Sequence, residues 1–105
     1  MAILITASYT KPTTETKFFN ENNEAKELAK IFNEEKQKYR DNGSLLSERT
    51  DRTSDGLELS YASLWRSKED YDHFLANEVC KMFWSKRNLY NKEHNIQLKK
   101  EVSEV

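Results

Sequence analysis

The dipeptide Asp55-Gly56 stands between two stretches of strand-like alternation, and it limits the fold more than any other feature of the chain. Both residue types tolerate positive φ, so the pair reads as a tight hairpin turn joining strands over 44–53 and 57–66. In the second strand Leu57, Leu59, Tyr61, Ser63 and Trp65 share one face, while Glu58, Ser60, Ala62 and Leu64 share the other. A lone hairpin is only marginally stable, so it needs further strands and a cover for its apolar face.

The rest of the chain supplies both. Residues 2–10 put Ile3, Ile5, Ala7 and Tyr9 on one side and Leu4, Thr6 and Ser8 on the other, a strand ended by Lys11-Pro12 because proline has no ladder donor. After a polar loop to about Asn20, the apolar positions Ala25, Leu28, Ala29, Phe32 and Tyr39 recur near helical spacing. They predict a helix from about Asn22 to Asn42, with Glu34 and Lys38 paired on its outer side and Gly43 as its stop. Ser67-Lys68-Glu69-Asp70 has the form of a capping box and opens a second helical region. Its apolar stripe is Tyr71, Phe74, Leu75, Val79, Met82, Phe83 and Leu89. One straight helix over 68–93 would measure about 39 Å against about 30 Å for the opening strand, so a break is expected near Ala76-Asn77-Glu78. Beyond Asn95, the residues Ile96, Leu98 and Val102 alternate with Gln97, Lys99, Glu101 and Ser103, and Lys100 interrupts the apolar face. So charged a strand suits a sheet edge or one that reaches across to another subunit.

The order β-α-β-β-α-β defines a ferredoxin-like α+β fold, a four-stranded antiparallel sheet with helices on one face. At 105 residues the whole chain, 1–105, is expected to be one domain. The other sheet face has no cover of its own, and Leu, Ile, Tyr or Trp side chains there would favour burial against a second copy. A homodimer formed through the sheet is therefore expected.

Several classes drop out. The chain has no run of about 18 apolar residues for a membrane helix, and Met1-Ala2-Ile3-Leu4-Ile5-Thr6 is too short and lacks the basic flank of a signal peptide. A cytoplasmic protein with no membrane contact is expected. The single cysteine, Cys80, with only His73 and His94 beside it, has no metal-ligand spacing, so no metal is expected. A formal net charge of -1 speaks against a nucleic-acid partner, which would require an excess of Lys and Arg to displace counterions.

The stretch Leu64-Trp65-Arg66-Ser67-Lys68-Glu69-Asp70-Tyr71-Asp72-His73-Phe74-Leu75 resembles the antibiotic biosynthesis monooxygenase-like family of dimeric α+β barrels. In that family a Trp commonly ends the third strand, a short polar segment with an acidic residue opens the helix, and an aromatic or aliphatic residue follows. The resemblance extends in element order from Ile3 to the closing strand after Ile96. It implies a homodimer and, in each subunit, a pocket between helices and sheet that takes a small aromatic or apolar molecule. The family's activities include cofactor-free oxygenation of polycyclic phenols, haem degradation and isomerase- or cyclase-like steps. Aligned on Trp65, the positions that serve haem degradation fall near Ser8, on Phe74 and on Trp84, and none carries the residue required. Trp84 has no imidazole nitrogen for iron, so haem is not expected at that position; the activity envisaged is cofactor-independent, and no cofactor is expected.

If the protein is an enzyme, His73 is the expected proton acceptor, because imidazole titrates near neutrality and His73 lies inside the stretch that carries the resemblance. Its ordinary alternative is a helix-surface histidine. Tyr61 and Trp65 share the pocket-facing side of their strand and can stack an aromatic ligand, or simply pack the core. Ser8 and Tyr9 can offer a hydroxyl to a bound carbonyl or oxyanion, and the expected ligand-binding set is Ser8, Tyr61, Trp65, Phe74 and Trp84. Two functions are thus open, a cofactor-independent monooxygenase and a non-catalytic dimeric ligand-binding or regulatory module. A basic residue inside the pocket favours the first; a wholly apolar lining favours the second.

Overall fold

The computed structural model describes all 105 residues. Strand β1 (Ile3–Thr10) is followed by short 3₁₀ turns at Phe19–Glu21 and Asn23–Ala25, helix α1 (Lys26–Asp41), strands β2 (Leu45–Arg52) and β3 (Glu58–Trp65), helices α2 (Lys68–Leu75) and α3 (Glu78–Glu93), and strand β4 (Gln97–Glu104). The four strands form one antiparallel sheet in the order β2-β3-β1-β4, the ferredoxin-like α+β fold. Ile3 pairs with Trp65 and Tyr9 with Leu59, so the two central strands bring their large apolar residues to the same face.

That face lies under the helices, where Ile3, Ile5, Leu45 and Trp65 are buried together with Phe32, Tyr39, Phe74 and Phe83. The rings of Phe32 and Phe83 stack 4.2 Å apart and join α1 to α3. Trp65 is 1% exposed and lies 4.8 Å from Phe74, which joins β3 to α2. Burial of these aromatics supplies most of the small core, since each removes a large apolar area from water.

The predicted break is present and has a clear local cause. Asn77 leaves the helical conformation (φ -65°, ψ 131°), and its Oδ1 accepts from the N–H groups of Val79 and Cys80 at 2.9 and 3.4 Å. It thereby ends α2 and caps α3. Ser67 caps α2 as expected, its Oγ accepting from the Asp70 N–H at 3.1 Å. Gly43 and Gly56 take the left-handed conformation, with φ of 84° and 75°.

Other expectations need correction. The hairpin connection is longer than Asp55-Gly56: it runs from residue 53 to 57, and only Gly56 takes a positive φ, while Asp55 uses its carboxylate to accept from Thr53 Oγ1 and the Leu57 N–H. Helix α1 begins at Lys26 rather than Asn22, because Asn22 caps a separate 3₁₀ turn. Lys38 pairs with Glu35 at 2.9 Å instead of Glu34. Met82 and Leu89 face solvent and leave the stripe of α3. The segment read as a polar loop contains Phe18 and Phe19, both buried.

The sheet face away from the helices also differs from expectation. Its central residues are Thr6, Ser8, Ser60 and Ala62, with Leu4 and Leu64 toward one end; Ser8 and Ser60 face each other with their Oγ atoms 3.2 Å apart. Strict alternation in β1 and β3 has sent the large apolar residues to the helices and left mostly short polar ones here. The exposed apolar residues of β4, Leu98 and Val102, instead lie on the helix side of the sheet, at 43% and 56% exposure, opposite Tyr9 and Ile5.

Candidate functional site

Helix α3 packs on α1, α2 and the 19–21 turn, and its Phe83 joins the core formed with Ile3, Ile5 and Trp65 of the strands. A cavity of about 610 Å³ opens between the helices and the sheet. Tyr61, Trp65, Phe74 and Trp84 line it, together with Tyr9. Ser8 does not, because it points to the opposite sheet face. His73 does not line it either. It is exposed on the outer side of α2, and its Nδ1 sits 3.2 Å from the Tyr39 hydroxyl. That position removes the reason for treating His73 as the proton acceptor of this cavity, since a general base must reach the proton that it takes.

Four cations and one carboxylate line the cavity, in a protein with a net charge of -1. The carboxylate is Glu48 of β2, held by Lys36 at 2.9 Å and by Arg40 from α1. Arg87 and Lys100 have no carboxylate partner. Lys100 reaches from β4 over the Tyr71 ring, 5.1 Å from its centre. Arg87 projects from α3 with its guanidinium carbon 5.1 Å from the centre of the Tyr9 ring and 5.9 Å from that of Phe83. Its Nε is buried and has no hydrogen-bond partner. Burial lowers its pKa, opposed by the neighbouring Tyr9, Tyr61 and Tyr71. It remains a cation at neutral pH, because a guanidinium starts far above that range. Aromatic faces compensate in part for its lost hydration.

Tyr9 and Tyr61 meet edge to face at 5.9 Å. Burial raises both pKa values, against the opposing influence of Arg87 on each. They are neutral hydroxyls at neutral pH and serve as hydrogen-bonding groups rather than bases. Asn20, on the 19–21 turn, donates to the Tyr61 hydroxyl at 3.2 Å. The thiol of Cys80 is fully buried, and its burial pushes the pKa up to about 12, so it is no nucleophile.

Sequence reasoning missed Arg87. It lies in the polar run Ser85-Lys86-Arg87-Asn88, where an outward arginine is the default reading. The available signal was spacing: Cys80, Phe83, Arg87 and Asn91 follow one another at helical intervals, so Arg87 continues the buried face of α3.

The architecture is thus that of a ferredoxin-like α+β protein with a cation-bearing cavity beneath its helices. No family model matches the sequence, and no curated protein does. Solved structures do match it. Rv0793 from Mycobacterium tuberculosis superimposes with a TM-score of 0.65 at 12% identity, covering 100% of this chain and 95% of the other. SnoaB of Streptomyces nogalater, a cofactor-independent oxygenase, gives 0.63 at 8% identity over 99% and 92%. A candidate antibiotic biosynthesis monooxygenase from Deinococcus radiodurans gives 0.58 at 15% identity over 97% and 91%. The chain therefore has the fold of the antibiotic biosynthesis monooxygenase-like proteins, as the Leu64–Leu75 stretch implied.

Proposed function

We propose that the cavity binds a small aromatic molecule in its anionic form and that the protein oxygenates it without a cofactor. Arg87 carries this reading: a half-buried guanidinium whose Nε is buried without a partner, with no carboxylate beside it and aromatic rings around it, is costly unless an anion completes it. The oxygenase SnoaB, which has the same fold, supports the choice of chemistry. A phenol or enol whose anion lies against Arg87 ionises more readily, because the cation stabilises the charge in a site of low dielectric. The only lining carboxylate, Glu48, is tied to two cations, so the proton passes to solvent. The anion gives an electron to molecular oxygen, the radicals combine to form a C–O bond, and loss of water leaves a carbonyl. One CH₂ and one O₂ become one C=O and one H₂O.

Dithranol, a tricyclic phenol, tests this directly. Oxygen uptake matched by an equal amount of quinone, faster than autoxidation and lost in Arg87→Met, is the expected result. Tight binding without turnover would favour the second reading, a non-catalytic ligand-binding module. Absence of both binding and turnover would overturn the proposal.

Two copies are expected to associate. Leu98 and Val102 lie on edge strand β4 beyond the cover of this chain's helices, and association would bury them. Sedimentation at micromolar concentration should give twice the chain mass of 12.4 kDa; a monomer throughout would refute association. No helix is long and apolar enough to cross a membrane. The proposal includes a cytoplasmic location, where a lone thiol stays reduced.

A further inference from the structure

Arg87 is not the only unsatisfied polar group on the cavity side of α3. One turn further on, Asn91 is 6% exposed, lines the same cavity, and has a buried Nδ2 without a hydrogen-bond partner. Buried carboxamides are almost always bonded, so an orphan such as this calls for an explanation. Its backbone carbonyl accepts from the Ile96 N–H at 2.8 Å, so the helix end is satisfied without the side chain. The carboxamide is therefore not needed to hold the α3–β4 connection.

Resting on the anion-binding reading above, we infer that Asn91 is a specificity-determining residue: it hydrogen-bonds a neutral carbonyl of the ligand, one helical turn from the anion held by Arg87. Residues four apart on a helix have Cβ atoms roughly 5–6 Å apart, a span matched by two oxygen substituents on one fused aromatic framework. The chemistry divides naturally between the two side chains. A guanidinium is the better partner for a charged oxygen, whereas an uncharged amide meets a carbonyl without burying a second charge. The ligand class is thus an aromatic acid or phenol that also carries a ketone, quinone or amide oxygen, rather than a plain aromatic anion.

A matched pair of probes separates these. An anthraquinone carboxylate and the anthracene carboxylate with its acid group at the same ring position share size and charge, but only the first has carbonyls. Titration into the wild-type protein is expected to show the quinone bound about five- to tenfold more tightly, the value of one neutral hydrogen bond. Asn91→Leu, close in volume, should abolish that preference, whereas Arg87→Met should weaken both probes. If both bind in an Arg87-dependent manner with equal affinity, the role of Asn91 is refuted and the anion site stands. If neither binds, the anion-binding reading fails and the inference falls with it. The wild-type comparison decides the matter even if Asn91→Leu does not fold.

Discussion

The guanidinium of Arg87 lies over the ring of Tyr9 at 5.1 Å, so a cation of α3 rests on a side chain of the central strand β1 inside the space between helices and sheet. This contact compensates for only part of the hydration that Arg87 has lost. Replacement by an apolar residue of similar length should relieve the remainder. Arg87→Met is expected to melt at the same temperature as the wild type or higher, followed by circular dichroism, while affinity for the anthracene carboxylate falls about tenfold or more. A destabilised variant with unchanged affinity would make Arg87 a packing residue.

Trp65 closes β3 against α2, within 5.4 Å of Tyr71 and 4.8 Å of Phe74. Truncation to alanine leaves a void that these rings cannot fill. Trp65→Ala should cost about 3–5 kcal/mol in urea denaturation.

Asn77 serves both flanking helices and also donates to Glu35 at 2.9 Å and to the Tyr39 hydroxyl at 3.2 Å. Asn77→Ala is expected to lower stability by about 1–2 kcal/mol, as loss of a cap does, and to increase hydrogen exchange at the first amides of α3. Unaltered exchange at Val79 and Cys80 would show that the cap is dispensable.

For His73, outside the cavity, the expectation is an absence of effect. His73→Ala should leave affinity for the anthracene carboxylate unchanged and cost under about 1 kcal/mol, the net worth of its hydrogen bond to Tyr39. A marked fall in affinity would bring His73 back into the site.

Cys80 links burial to pH. Its folded pKa is raised to about 12, whereas an unfolded thiol ionises near 8.5. The folded state holds a proton that the unfolded chain releases, so this contribution to stability is complete below about pH 8.5 and is lost as pH rises toward 12. Cys80→Ala should flatten the decline in stability between pH 8.5 and 10, measured by urea denaturation. The raised pKa values of Tyr9 and Tyr61 act in the same direction at higher pH. In the native protein Cys80 should resist a thiol reagent at pH 8.

The strands and the α2–α3 break were legible because they depend on local rules: period-two alternation around Tyr61, the hairpin glycine at position 56, and the length mismatch that required an interruption near Asn77. Trp65, Tyr61 and Phe74 could be directed toward a cavity by the same alternation and by helical phase. Phe18 and Phe19 could not, since an isolated pair in a loop has no period to reveal it. Arg87 and Asn91 were hidden by residue type: polar residues face water by default, and the exception becomes visible only once the cavity beneath α3 is found. His73 shows the reverse, a reactive residue type at an exposed position outside the cavity.

The cavity between helices and sheet separates what lines the interior from what holds the strands in register. Arg87, Asn88 and Asn91 line it from one helix, and the ladder pairing of β1, β3 and β4 does not run through them. Replacements along this single face change the lining of the cavity and leave strand register untouched. Chains as far apart as 8% identity can thus share a shape.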